Sequence, residues 1–381
     1  MNLNAHKSVG FHSFILLTCI AAQAQNAPAR ISDRLDKLVT ERFSATKCPG
    51  LSVAVAAKNQ IIFSKAMGMA DIEQGLNLTT NSVHRLASLS KPITGTIIMD
   101  LVEQGKLDLD VSVRKYLSEL PAAYQRISLR HLLTHQSGVR GYINPADIVF
   151  SAAHYPTSRA VLKTFMDVPL AFEPGTKVEY SSMSFTVAAA AAESVTGHSF
   201  QELSTDFFAR NGISGLFLDD PLAVVPARVR GYLVDRNSKM GFNNGQDVAR
   251  DYLIGTPGEI TNARFYDISN RYPAGGFDSS AEGLMRFVIA VGTGKVLKSE
   301  TVKMMWTAKP TSDGTKTVFG LGWGVSEWKG NPMVGMNGAD LSTQAFLRYL
   351  PNSGVGVVVA CNAEGAQGLP ELVSEILENT N

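Results

Sequence analysis

The sequence predicts an α/β fold: an antiparallel β-sheet flanked by N- and C-terminal helices, with a mostly helical domain inserted between the two halves of the sheet. Three observations carry this. Strand patterns lie at residues 51–67 and again at 319–361, helical patterns dominate between them, and one helical segment lies outside the strands at each end. The chain has 381 residues, enough for two domains of ordinary size. The expected division is a discontinuous sandwich from 25–90 with 307–381 and an inserted domain from 91–306, after a leader at 1–24.

The leader is read first. Lys7 is the only charged side chain before Arg30, and an apolar run extends from Phe14 to Ala22. That run is too short to span a bilayer, and Ala22-Gln23-Ala24 offers the small residues of a cleavage site. A signal peptide cut after Ala24, and hence a periplasmic or secreted protein, is the expectation. Lipidation at Cys19 is the rival, and Leu16-Leu17-Thr18 fits it poorly.

Apolar residues at Ile31, Leu35, Leu38, Val39 and Phe43 recur at helical spacing until Pro49-Gly50. Leu51–Ala57 and Ile61–Met67 read as strands of a hairpin turning at Lys58-Asn59-Gln60. From Ser88 to Gly105 the pattern is helical, with Ile93, Ile97, Leu101 and Val102 on one face. Val161–Met166, Ser182–Val195 and Ala281–Val291 are the clearest helices of the middle. Phe319–Val325, Gln344–Leu350 and Gly356–Cys361 read as strands, and Leu369–Leu377 as the closing helix.

Composition narrows the function. Lys and Arg number 35 against 34 Asp and Glu, so there is no electrostatic footprint for nucleic acid. No run after the leader reaches the roughly 18 apolar residues of a membrane helix. Cys48 and Cys361 are the cysteines beyond the leader. They read as two buried thiols or, if the first and last strands are antiparallel neighbours in an oxidising compartment, as a disulfide.

Ser88-Leu89-Ser90-Lys91 places a hydroxyl and an amine on one helix face. Ser-x-x-Lys occurs four times, however, also at Ser44–Lys47, Ser112–Lys115 and Ser326–Lys329. Ser44 ends a helix, Ser112 lies in a charged stretch, and Ser326 reads as a polar turn. Only Ser88 opens an apolar helix, and Pro92 fixes that helix's start nearby. There the hydroxyl would meet free backbone N–H groups, and a buried Lys91 would lose its proton readily. The plain alternative is a capping serine beside a surface lysine. Tyr180, at the mouth of the alanine-rich helix, reads as a proton shuttle or as packing. His131 and His135 have i, i+4 spacing without a third ligand and read as structural.

Taken in order, Ala87-Ser88-Leu89-Ser90-Lys91-Pro92, Leu129–Gly138, Pro174-Gly175 with Tyr180-Ser181, Ala274-Gly275-Gly276 and Gly320-Leu321-Gly322-Trp323 resemble the serine β-lactamase-related superfamily. That group contains class C β-lactamases, D-Ala-D-Ala carboxypeptidases and related esterases, and the resemblance spans nearly the whole chain after the leader. It implies a β-lactamase/transpeptidase-like fold, with Ser88 as nucleophile and Lys91 and Tyr180 sharing the proton transfers. It also implies neighbouring first and last strands, favouring a Cys48–Cys361 bond. Two departures stand out. Ser182 occupies the place of the asparagine in the second motif, and its hydroxyl has a shorter reach. Met336-Asn337-Gly338 takes the position of the third motif, where a cation usually greets a substrate carboxylate; Asn337-Gly338 also reads as a simple hairpin turn. Ala339 would supply the second oxyanion N–H.

These features lead to the expectation of an exported serine hydrolase that cleaves a small ester or amide without metal or organic cofactor. A D-Ala-D-Ala carboxypeptidase, a β-lactamase, and a non-catalytic relative holding a ligand or cell-wall fragment are the rivals.

Overall fold

The computed structural model describes residues 30–141, 153–234, 260–263 and 266–380. The expected leader at 1–24 lies outside them. A central sheet is built from β1 (Gly50–Ala57), β2 (Gln60–Asp71), β3 (Leu76–Asn77), β4 (Gly324–Trp328), β5 (Asn331–Asp340), β6 (Thr343–Leu350) and β7 (Val355–Cys361). Their order is β3-β2-β1-β7-β6-β5-β4, and every pairing is antiparallel. The first strand therefore lies against the last, with Leu51 opposite Cys361. Cys48 and Cys361 form a disulfide pair with Cα atoms 5.9 Å apart, as the strand order requires.

Burial explains the unbroken apolar runs of β1 and β7, because both faces of these strands are covered. On one face Ala54, Ala56, Val358 and Ala360 join the core shared with the Ala281–Gly292 helix. On the other, Leu51, Val53, Val55, Val357 and Val359 meet Leu35 and Val39 of the 30–46 helix and Leu372, Val373 and Ile376 of Leu369–Thr380. The β1–β2 turn is tighter than the sequence suggests. Lys58 and Asn59 both have φ near +55°, at 51° and 60°, as a two-residue hairpin turn demands. Gln60 thus starts β2, which runs on past Met67 to Asp71.

Three expectations are corrected, and one pair of alternatives is decided. The strand expected at Phe319–Val325 starts only at Gly324, because the preceding Gly320–Trp323 stretch is spent packing on the Ser90–Glu103 helix. A Cβ on Gly95 would stand 2.6 Å from the Leu321 carbonyl oxygen, so only glycine permits that approach. Ser326 consequently lies in β4 and not in a turn. Asn337-Gly338 lies inside β5, and the chain reverses at Leu341-Ser342 instead. The helix expected at Val161–Met166 spans Ser158–Leu162, where the Thr157 hydroxyl caps it by accepting the Ala160 N–H at 3.1 Å.

Between the sheet halves, the Ser90–Glu103 and Ser182–Thr196 helices pack together, and Ala188–Ala192 are fully buried. Two small three-stranded sheets, which the sequence did not suggest, accompany them. One joins His84–Arg85, Phe277–Ser279 and Leu216–Leu218; the other joins Tyr232–Leu233, Thr261–Asn262 and Ala363–Glu364. Among the described residues no helix is long and apolar enough to cross a membrane.

Candidate active site

Ser88 lies in a single 3-10 turn, Ala87–Leu89, that leads into the Ser90–Glu103 helix. Ala87 holds φ at +46°, a left-handed conformation unusual for alanine, immediately before it. Every residue from Ser90 to Leu101 is buried, so this helix presents polar side chains to the interior as well as apolar ones. Those polar groups have assigned partners. Ser90 Oγ accepts the Phe277 N–H at 3.0 Å, and Thr94 Oγ1 donates to the Pro273 carbonyl at 2.6 Å. Together they hold the Tyr272–Gly275 turn against the helix.

Lys91 is 0% exposed. Its Nζ donates to Ser88 Oγ at 3.1 Å and to the Ala274 carbonyl at 2.9 Å. No carboxylate pairs with it among the described residues. Two acceptors match the two N–H bonds of a neutral amine and leave its lone pair free. Burial, reinforced by the nearby charge of Arg271, holds this amine well below the ordinary lysine value. Ser182 makes no hydrogen bond to Lys91, and the Ala274 carbonyl is the second partner instead.

Tyr180 OH donates to the same Ser88 oxygen at 2.7 Å. Its ring centroid is 4.6 Å from Lys91 Nζ. On its other side the His135 imidazole stacks at 4.5 Å with an interplanar angle of 28°. Ser181 caps the Ser182–Thr196 helix by accepting the Ser184 N–H at 3.3 Å, which fixes the backbone beside the phenol. His131 has a local role, closing a capping box with Ser128.

β5 reaches Ser88 because it outruns β4: their pairing ends at Gly335 opposite Gly324, while β5 continues to Asp340. Strand alternation puts Met336 and Gly338 on one face. A Cβ at 338 would stand 2.2 Å from the Leu86 carbonyl oxygen and 3.2 Å from Ser88 N, so the strand lies directly on the Ser88 turn. Met336 is half-buried on that face, packed on the core shared with the helices. Asn337 and Ala339 are exposed. The structure thus brings Ser88, Lys91 and Tyr180 within hydrogen-bond range and lays Gly338 against the Ser88 turn.

Behind Ser88 lies a buried ionic network. Arg85 pairs with Asp219 at 2.6 Å, and Arg228 pairs with Asp219 at 3.1 Å. Asp278, opposite Arg85 in the small sheet, is pushed well above the carboxylate range by burial and by Asp219. The sequence reading did not find this network, nor Ala274, Arg271 or the contact of His135 with Tyr180. Ala274-Gly275-Gly276 marked the segment, but nothing local tells that its carbonyl faces a lysine 183 positions away. Among the described residues no group of three or more His, Cys, Asp or Glu side chains is placed to hold a metal ion.

A family model described as Beta-lactamase matches residues 35–377 of this chain. The mouse serine beta-lactamase-like protein LACTB, mitochondrial, is 23% identical over 364 residues, which cover 74% of this chain and 64% of that protein, somewhat under two thirds of its length. A beta-lactamase of Escherichia coli is 25% identical over 329 residues, covering 85% of this chain and 78% of its own. Among solved structures, D-amino acid amidase from Ochrobactrum anthropi superposes with a TM-score of 0.77 at 18% identity, covering 92% of this chain and 98% of that one.

Proposed function

The chain belongs to the beta-lactamase family, and from that premise we propose that it is a serine hydrolase working through an acyl-enzyme on Ser88. The observation that carries the reading is the convergence of Lys91 Nζ and Tyr180 OH on Ser88 Oγ. In the acylation step the Ser88 O–H turns toward the relay formed by the Lys91 amine and the Tyr180 phenol. Donor and acceptor roles reverse along that contact, and the amine lone pair receives the proton as ammonium. Oγ then attacks the substrate carbonyl carbon. The N–H groups of Ser88 and Ala339 receive the developing oxyanion. The relay returns the proton to the leaving oxygen or nitrogen, and water, activated by the same groups, releases the acid and regenerates Ser88.

The substrate is a small ester or amide that lacks a free carboxylate where it meets β5. Met336 supports this, because a thioether offers no charge to a carboxylate that would have to shed its water. A penicillin or a D-Ala-D-Ala peptide would bring such a carboxylate to that place. Export to an oxidising compartment accompanies this reading, supported by the Cys48–Cys361 pair.

The test is the intact mass of residues 25–381 after exposure to a fluorophosphonate, beside Ser88→Ala. One adduct, absent in the variant, is expected. Labelling that persists in Ser88→Ala removes the nucleophile assignment, and a folded protein that takes no label is a binding relative. Turnover of p-nitrophenyl esters, D-amino-acid amides and a chromogenic cephalosporin then ranks the substrate classes, with the ester or amide expected to lead.

A further inference from the structure

His135 lies in the Leu129–Gly138 motif, four residues from a helix-capping histidine, and it meets residues 179–181 in three ways. Its carbonyl accepts the Glu179 N–H at 2.9 Å. Its Nδ1 accepts the Ser181 N–H at 3.1 Å. Its ring lies against the phenol at 4.5 Å. The residues before and after Tyr180 are therefore both tied to this one residue, and the phenol is backed by it.

The arrangement is not incidental packing. His135 holds φ at +59°, a conformation that costs a side-chain-bearing residue about 1 kcal/mol or more. That backbone conformation lets the carbonyl and the ring serve the same neighbouring strand of chain. Phe319 closes on the imidazole edge-on at 4.6 Å, and Phe185 lies against it at 5.4 Å, so the ring is enclosed by aromatic surface. Nδ1 accepts a backbone N–H, so the imidazole proton sits on Nε2, which has no hydrogen-bond partner among the described residues. A buried, unpaired N–H is tolerated here for what the opposite nitrogen does. Burial keeps the ring neutral, well below the ordinary histidine value.

We propose that His135 is a positioning residue for the reaction. Its carbonyl and Nδ1 clamp the N–H groups on either side of Tyr180 while its ring backs the phenol, and this aims the phenol oxygen at Ser88. The proposal rests on the reading of Tyr180 as a proton-transfer group given above.

Three variants separate the clamp from the stack. His135→Asn keeps an acceptor where Nδ1 was and suits the left-handed backbone. His135→Phe keeps the ring and loses the acceptor, and His135→Leu loses both. Folded protein is selected by circular dichroism and thermal melting. The rate of Ser88 phosphonylation and the kcat and KM for the best ester are then compared. With a misaimed phenol, kcat should fall about 100-fold in the Phe and Leu variants and within about 10-fold in Asn, with KM nearly unchanged. A folded Leu variant that labels and turns over at the native rate overturns the proposal. So does an equal loss in all three that merely tracks the folded fraction. Nitrogen-15 NMR of the imidazole gives a readout independent of activity: Nε2–H with an acceptor-type Nδ1 is expected, and a proton on Nδ1 overturns the clamp. If the native protein takes no label at Ser88, the site reading fails, and the tautomer still decides the clamp.

Discussion

Lys91 has its two hydrogen-bond acceptors and, among the described residues, no carboxylate partner. Burial therefore favours the neutral amine over the charged one. Because the folded value lies below the unfolded one, the unfolded chain binds more protons at neutral pH, and the side chain costs stability there. Lys91→Met should therefore raise the thermal midpoint at pH 7 while removing turnover by ~1,000-fold or more. The gain should shrink as pH rises toward the ordinary lysine value of about 10.4, and above that value the amine is neutral in both states. For the native protein the sign is the same: activity is expected above the folded value and should be lost as pH falls through it. A pH–kcat/KM profile, with thermal melts of both proteins at pH 7 and 10, checks these statements. A Met variant less stable at pH 7 would contradict the neutral, unpaired amine.

At the level of elements, β5 over the nucleophile turn makes the sharpest demand. Gly338→Ala would place a methyl group 2.2 Å from the Leu86 carbonyl oxygen, so either β5 or the Ser88 turn must move. A shift approaching 1 Å is expected to lower kcat/KM about 100-fold, with the sheet intact by circular dichroism. Native activity in this variant would mean that the strand does not touch the site as described. The same element shows what a sequence can disclose. Alternation and length placed β6 and β7 nearly residue for residue, since both are decided by local apolar runs. For Met336-Asn337-Gly338 the turn dipeptide and the strand competed, and tertiary pairing with Ala345 and Phe346 decided for the strand. The Ser90–Glu103 helix was legible as a helix from its apolar stripe. Its inward polar face was not, because Ser90, Lys91 and Thr94 are satisfied by carbonyls and N–H groups near residue 275 that no local pattern reveals. The contact of His135 with Tyr180 was hidden for the same reason.

For the whole molecule, the pairing of β1 with β7 makes the Cys48–Cys361 bond span 313 positions. In the loop-entropy picture such a long closure stabilises by about 6 kcal/mol at most, through the unfolded chain. Reduction with a phosphine under native conditions, or Cys48→Ser, should lower the thermal midpoint by several degrees while a fluorophosphonate still labels Ser88, because the bond lies across the sheet from the site. An unchanged midpoint would mean that the two thiols are not joined.

Because Leu51 faces Cys361, the hairpin of β1 and β2 emerges long before its partner strand exists. At about 5–20 residues per second, translation leaves the inner edge of β1 uncovered for roughly 15–60 s. That edge, the backbone of Gly50–Ala57, is flat, apolar and free to pair with any extended chain it meets. The molecule is thus open to self-association during its own synthesis in a way the finished sheet is not, and its yield in a cell should depend on what shields residues 50–57 in that interval.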